Sequence, residues 1–498
     1  MKQLYEDARN GIETRQNLSK LRQEIKDFAK MDQLFQIVMD DFDGMVSFLQ
    51  DEDSKVRKNA ALLMGDLDMS DFLEPLMEGY RKEDQLFVRT AYLEAIKNYD
   101  FAPYLDEFKE RMEVLKNMEV TEENKKHIEE EIKALNDLIL LEEGCKLHTF
   151  KGFSKPVECV LLTNKLQKQA LENQVKEMLP NAQFLPFGGG VRVKTNDFDQ
   201  LFKIRTFHTV LFAIPGMTAC SLDANEMAEK LAQSGLLNLL RDSHNESGPY
   251  SFRTECKCHL DLERKTQFTK KLANELQLLT HHELMNSTTD YEFELRIVEN
   301  KEGKCNVLLK MNTILDERFS YWKAQVAQSI RPANAAVLVE LARPYMAKDA
   351  QVLDPFCGAA TMLIERQKVV KGNTSFGLDI NEEAIQCAKK NCKNAGQIIH
   401  FVHKDFFRFN NEVLFDEIFT NMPFAQGHVT NAEVRSLIIH FFKHAKEVMK
   451  KDGTIILHTH DYNLVKKYAL ENGYTLVKAF QVSQKEGTVL CIFKLEDK

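Results

Sequence analysis

Apolar residues recur at three- and four-residue spacing through residues 1–145, and β-branched runs are scarce there, so this part of the chain is predicted as helices throughout. Within it, DEDSKVRKNAALLMGDL from Asp51 and KEDQLFVRTAYLEAIKNY from Lys82 follow one order: an acidic turn, a Val-Arg pair, then an Ala/Leu-rich helix. The pairs Val56–Arg57 and Val88–Arg89 lie 32 residues apart. Glu122 to Leu141 reads as a charged connecting helix. After Cys145 the texture changes to strands and helices in turn. VECVLLT, GGGVRVKT and TVLFAI alternate with helices over Lys165 to Met178 and DFDQLFKIRT, which gives a small α/β module over residues 146–220. A second block covers 221–325, with a helix from Ala224 to Leu240, the strand YSFRTECKCHL, a helix from Lys265 to Leu279, and the strands YEFELRIVE and CNVLLKMNT. The third, 326–498, opens on a helix starting at Pro332, with Leu338, Leu341, Ala342 and Tyr345 on one face. It then alternates the strands AQVLDPF, TSFGLDI, IIHFVHKD, DEIFTN and GTIILHTH with helices and closes on the pair YTLVKAFQVS and GTVLCIFKLE. Such alternation predicts a parallel, doubly wound sheet.

Composition narrows the class. At 498 residues the chain exceeds one core, and 44% hydrophobic with 28% charged residues is a globular profile. No apolar run approaches the length of a membrane span, and MKQLYEDARN is no leader sequence, so a cytoplasmic protein without membrane contact is expected. The ten cysteines, from Cys145 to Cys491, show no repeated CxxC spacing, which argues against a disulfide framework or a zinc site; Cys256 and Cys258 read as strand residues. His458 and His460 share a strand face and His440 and His444 a helix face, but no Cys or carboxylate spacing completes a metal site, so no metal is expected. Net charge is uneven: −13 over residues 1–150, +1 over 151–330 and +3 over 331–498. A nucleic acid would be repelled by the first part, and any RNA grip must come from local patches.

The chemistry gathers in the third block. DPFCGAATMLIE, Asp354 to Glu365, is a strand-to-helix turn whose backbone N–H groups point into the crevice beyond the strand ends. Asp354, Asp379 and Asp405 stand at three successive strand ends, and an acid after the second strand suits a ribose diol. Each acid taken singly could cap a helix; three together favour a nucleoside-bearing ligand. The turn has neither the lysine nor the length of a phosphate-binding loop and lacks the glycines of a dinucleotide fold. A fourth strand ends in Asn421-Met422-Pro423-Phe424, which sets an amide, a carbonyl, a rigid ring and an aromatic side by side.

With DPFCG, a following Thr and Glu, the G-x-D of Gly377 to Asp379 and N-x-P-F in that order, residues 146–498 resemble the THUMP-containing class I S-adenosylmethionine-dependent RNA methyltransferases, a family that includes tRNA guanine-N2 enzymes. The resemblance implies a ferredoxin-like module over 146–220, a THUMP module over 221–325 and a Rossmann-like catalytic domain over 326–498. Residues 1–145 lie outside it; their repeat resembles the HEAT type, and a plain helical bundle is the alternative. The cofactor residues implied are Asp354, Phe356, Cys357, Gly358, Ala359 and Thr361 at the methionine part, Asp379 with Ile380 at the ribose, and Asp405 with Phe406 at the adenine. The catalytic set implied is Asn421, Met422, Pro423 and Phe424. The Asn421 oxygen and the Met422 carbonyl would hold the protons of an exocyclic amine, and Phe424 would stack on the flipped base. The family usually has proline where Met422 stands and glycine where Ala360 stands, and a basic cluster where this chain has Gln426 and His428. Expected partners are an RNA, with tRNA first, and a protein held by the helical part. Guanine N2 in ribosomal RNA, adenine N6 in a nucleic acid, and RNA or protein binding without methyl transfer remain open. Arg318, Phe319, Tyr321 and Trp322 either touch RNA or form a buried linker cluster.

Overall fold

The computed structural model describes residues 1–119, 121, 123–143, 148–246, 248–426 and 429–495, without the side chains of Leu140 and Glu143. The expected boundary at 145/146, Cys145, the helix start at Glu122 and His428 fall outside the described residues. The chain forms two compact units, Met1–Leu147 with Gln277–Leu284, and His148–Leu276 with Met285–Lys498.

Among the described residues up to 143 the regular structure of the first unit is helical, and its two similar stretches are the helices Ser54–Leu67 and Leu86–Ile96. Asp53 caps the first by accepting from the Lys55 N–H. The arginines of the Val-Arg pairs do parallel work. Arg57 makes a two-pronged pair with buried Glu83, and Arg89 donates to the Glu83 carbonyl at 2.6 Å while lying beside buried Glu131. The valines, Val56 and Val88, sit in the core.

Outside the N-terminal helices, β1 (Val157–Leu162), β2 (Phe184–Phe187), β3 (Gly190–Thr195), β4 (Thr209–Ala213), β5 (Tyr250–Lys257), β6 (Leu284–Asn286), β7 (Phe293–Glu299) and β8 (Cys305–Met311) make one sheet in the order β2-β3-β1-β4-β8-β7-β5-β6. The modules expected over 146–220 and 221–325 share this sheet through β4 and β8, Phe212 facing Leu309. Three local expectations change. β2 carries Pro186, whose missing N–H hides a strand in the pattern and is tolerated at the sheet edge where β2 lies. The helix expected from Ala224 to Leu240 is two, Ala224–Gln233 and Leu236–Ser243, because the Gly235 N–H turns to the Pro215 carbonyl at 2.7 Å. DFDQLFKIRT holds only the short helix Phe198–Leu201.

The second sheet comprises β9 (Gln351–Asp354), β10 (Thr374–Asp379), β11 (His400–His403), β12 (Phe415–Asn421), β13 (Met449–Thr459), β14 (Tyr474–Ser483) and β15 (Thr488–Leu495), in the order β11-β10-β9-β12-β13-β15-β14. β9 to β13 are parallel, and β15 runs antiparallel to both β13 and β14. Helices cover both faces with two apolar clusters, one under the helix Thr361–Val369 and one under Asn431–Val448. The strand order reverses between β9 and β12, and that opens a crevice at their carboxyl ends.

The segment entering this domain is a buried joint. Arg318 donates to Asp316 and to the Ile204 and Phe207 carbonyls and lies 3.5 Å over the Phe207 ring. Tyr321 is buried and donates to Glu365, which also takes both prongs of Arg205 at 2.7 Å. Of the two readings of this cluster, the buried linker is the one found for Arg318 and Tyr321. Among the described residues no helix is long and apolar enough to cross a membrane.

Candidate active site

β9 ends at Asp354, whose carboxyl is buried beneath the turn that follows. Its Oδ1 accepts from the Thr420 hydroxyl at 2.6 Å and from the Phe356 N–H at 3.1 Å. Its Oδ2 is buried and makes no hydrogen bond. Burial outweighs the two donors and pushes this carboxyl up to about 7. Past Asp354 the chain turns through Cys357, whose N–H donates to the Leu378 carbonyl of β10. Gly358 follows at φ +50, and a Cβ built on it would meet nothing within 4 Å, so the backbone here borders open space. Ala360 is also left-handed, at φ +63, and begins the helix Thr361–Val369. An L side chain in that conformation costs roughly 1–2 kcal/mol. The glycine expected at this place would carry no such cost.

Asp379, at the end of β10, is bound to the same turn. Its Oδ2 accepts from the Gly358 N–H at 2.9 Å and its Oδ1 from the Asn381 N–H at 2.8 Å. The cap of the next helix is Asn381, not Asp379. Ile380 is 73% exposed, and its carbonyl lies 2.9 Å from His403 Nε2. Asp405, by contrast, is a cap: it accepts from the Phe407 N–H at the start of a short 3-10 helix. Phe406 is 1% exposed and packs on Phe356, Phe441 and His444. Its ring belongs to the core, which leaves only its backbone for an adenine. Asn391 was not singled out by sequence. Its buried amide accepts from the Lys323 and Ala324 N–H groups and donates to the Ala324 and Ala359 carbonyls, fastening the turn to the linker.

Across the crevice, β12 ends at Asn421. Asn421 is half-buried, the Met422 side chain is buried in the core, and Pro423 and Phe424 are half-buried. Asn421 Oδ1 lies 2.7 Å from His458 Nδ1, and the Phe424 ring stacks on His460 with centroids 4.2 Å apart. Two of the four histidines considered as metal ligands, His458 and His460, thus face the N-x-P-F motif. Among the described residues no group of three or more His, Cys, Asp and Glu could hold a metal ion.

The crevice fits a nucleoside bearing a cationic tail. An ammonium would satisfy the unpaired Asp354 Oδ2, Thr361 Oγ1 is a second buried oxygen without a partner, and the backbone at Gly358 borders open space. Residues 320–488 match the family model of UPF0020, the RMKL-like methyltransferase domain. Among curated proteins, none matches the sequence. Three solved structures are similar in fold. TrmN from Thermus thermophilus has 18% identity and a TM-score of 0.52 over 68% of this chain and 100% of its own. A predicted N6-adenine-specific DNA methylase from Listeria monocytogenes has 17% identity and a TM-score of 0.54 over 69% of this chain and 97% of its own. SMU.472, solved in complex with SAH, has 13% identity and a TM-score of 0.55 over 70% of this chain and 100% of its own. The crevice thus lies within the stretch that matches a methyltransferase-domain model, in a fold shared with these three solved structures.

Proposed function

We propose that this protein methylates an exocyclic amine of a nucleic-acid base, with guanine N2 of tRNA as the target. The observation that carries this reading is the end of β12. There the amide oxygen of Asn421 and the carbonyl of Met422 come from consecutive residues, across the crevice from the Gly358 turn. An aromatic amine keeps its lone pair in the ring until its protons are held and the nitrogen becomes pyramidal. Asn421 Oδ1 and the Met422 carbonyl supply those acceptors, and Phe424 supplies a face for the base. S-adenosylmethionine brings an electrophilic methyl group. Asp379, with Ile380 beside it, binds the ribose hydroxyls, Asp354 the ammonium, and Asp405 with the Phe406 backbone the adenine. The reaction needs no strong general base; placement and fixed dipoles carry it. The choice of RNA over DNA, and of guanine over adenine, rests on the resemblance of residues 146–498 to the THUMP-containing family. The helical unit, acidic and outside that resemblance, is read as a HEAT-like arm for a protein partner.

The test is transfer of labelled methyl groups to unmodified tRNA transcripts, ribosomal RNA and duplex DNA, followed by mass spectrometry of the nucleosides. N2-methylguanosine in tRNA is the expected product. N6-methyladenine, or product in ribosomal RNA alone, would replace the target and keep the chemistry. Binding of donor and RNA without transfer to any of the three would overturn the catalytic reading.

A further inference from the structure

Two histidines stand behind the N-x-P-F motif, His458 in β13 and His460 just past its end, and the reading above leaves them without a role. His458 is paired in register with Asn421, strand to strand. Its Nδ1 lies 2.7 Å from Asn421 Oδ1. An amide oxygen only accepts, so the proton of this bond sits on Nδ1. Burial keeps the ring neutral, with its pKa pulled down to about 4, so Nε2 is bare; that nitrogen is buried and unpaired. A second bond joins the same two segments, because the Met422 N–H donates to the His458 carbonyl at 2.9 Å. Proline has no N–H, so only a residue such as methionine can make this bond. Two residues on, His460 lies against Phe424 with the ring planes 25° apart. The motif is thus held from behind at Asn421, Met422 and Phe424 by one strand end.

We infer that His458 is the positioning residue of this site, holding the Asn421 oxygen and the Met422 backbone in the orientation that receives the amine. The inference rests on the exocyclic-amine reading. With Nδ1–H on one lone pair of Oδ1, the amide cannot turn over, since its NH2 would then meet a donor. The other lone pair stays free for a proton of the substrate. The Met422 bond replaces, by a main-chain tether, the stiffness that a proline ring would supply. His458 itself takes up no proton: the nitrogen facing Asn421 is already protonated, and the ring is a poor base. Proline, usual at this place in the family resembled, would stiffen the turn but break the tether, so Met422→Pro is expected to lower activity.

The first readout does not depend on activity. Long-range proton–nitrogen spectra of the full chain labelled at histidine, with His458→Asn to identify the signal, should show His458 neutral and protonated at Nδ1 at pH 7.5. This is the reverse of the usual tautomer, and a proton on Nε2 would overturn the inference. In turnover on unmodified tRNA transcripts with S-adenosylmethionine, His458→Ala should lower kcat by roughly 10- to 100-fold, the cost of a misplaced reacting group. The KM for RNA and the Kd for the donor should stay unchanged. Asn places an N–H where Nδ1–H stood, so His458→Asn should recover most of kcat, and Met422→Pro should lower it. Equal losses in the Ala and Asn variants, or none in either, would contradict the inference. A wild-type protein inert on every nucleic acid would end the methylation reading, while the tautomer would still decide whether His458 holds Asn421.

Discussion

The two sides of the crevice are built differently. On the donor side, Asp354 and Asp379 are tied to the turn between them by main-chain N–H groups at Phe356, Gly358 and Asn381, all within two residues of a carboxylate or in the turn itself. On the substrate side, Asn421 leans on His458 of β13, 37 residues later, and Phe424 on His460 just past the end of that strand. Phe356 and Asn381 each lie two residues from the carboxylate they serve, which a short segment specifies. The Gly358 N–H, by contrast, reaches Asp379 from the turn after β9, and the Thr420 hydroxyl reaches Asp354 from β12. An amide held by a distant histidine depends on the sheet being assembled first. The donor side should therefore respond to substitution in affinity, and the substrate side in rate.

The largest effect is expected at Asn421. Asn421→Ala removes an acceptor used as the amine rehybridises and should lower kcat by about 10²–10³-fold. Calorimetry should find the donor Kd unchanged; a donor Kd that weakens in step with kcat would erase the division between the two sides. Asp379→Ala should do the reverse. It should raise the donor Kd by about 10- to 100-fold, as expected for roughly 1.5–3 kcal/mol of hydrogen bonding to a charged acceptor. Because Asp379 also holds the Gly358 and Asn381 N–H groups, the turn should become more open to hydrogen exchange. Unchanged donor affinity would remove this residue from the site.

Asp354 gives the donor side a dependence on pH. Its carboxyl stands at about 7 in the fold, above the value of about 4 in an unfolded chain. Its contribution to stability is thus present below pH 4 and is lost as the pH rises through 7. An ammonium beside Oδ2 favours the ionised form, so donor affinity should strengthen by about tenfold from pH 6 to pH 8 with release of a proton. Asp354→Asn should flatten that slope, and a pH-independent Kd in the wild type would exclude the pairing. The smallest effect concerns Ala360. Ala360→Gly relieves a left-handed alanine and should stabilise the fold by about 1 kcal/mol in a denaturant titration. Destabilisation instead would show that the packing of the Ala360 methyl group outweighs its backbone strain.

The parallel strands were legible because strands buried on both faces read as continuous apolar runs, and their ends are marked by Asp354, Asp379 and Asn421. Phe406 shows the limit of that reading. Its place next to Asp405 suggests a ligand contact, yet its ring lies in a cluster with Phe356 and Phe441 that no local pattern announces. Pro186 and Gly235 mislead for a related reason: each takes its meaning from a partner, the sheet edge in one case and the Pro215 carbonyl in the other.

By itself the sequence determined the alternation of strands and helices in residues 326–498, the strand-to-helix turn after Asp354, and the N-x-P-F end of β12, since periodicity, turn chemistry and residue chemistry act over a few neighbours. Tertiary structure alone decided that Thr420 holds Asp354, that Asn391 fastens the turn to the linker, and that His458 orients Asn421. Those bonds join residues that are distant in the chain and adjacent only across the sheet, where burial removes competing water and makes each partner's identity matter.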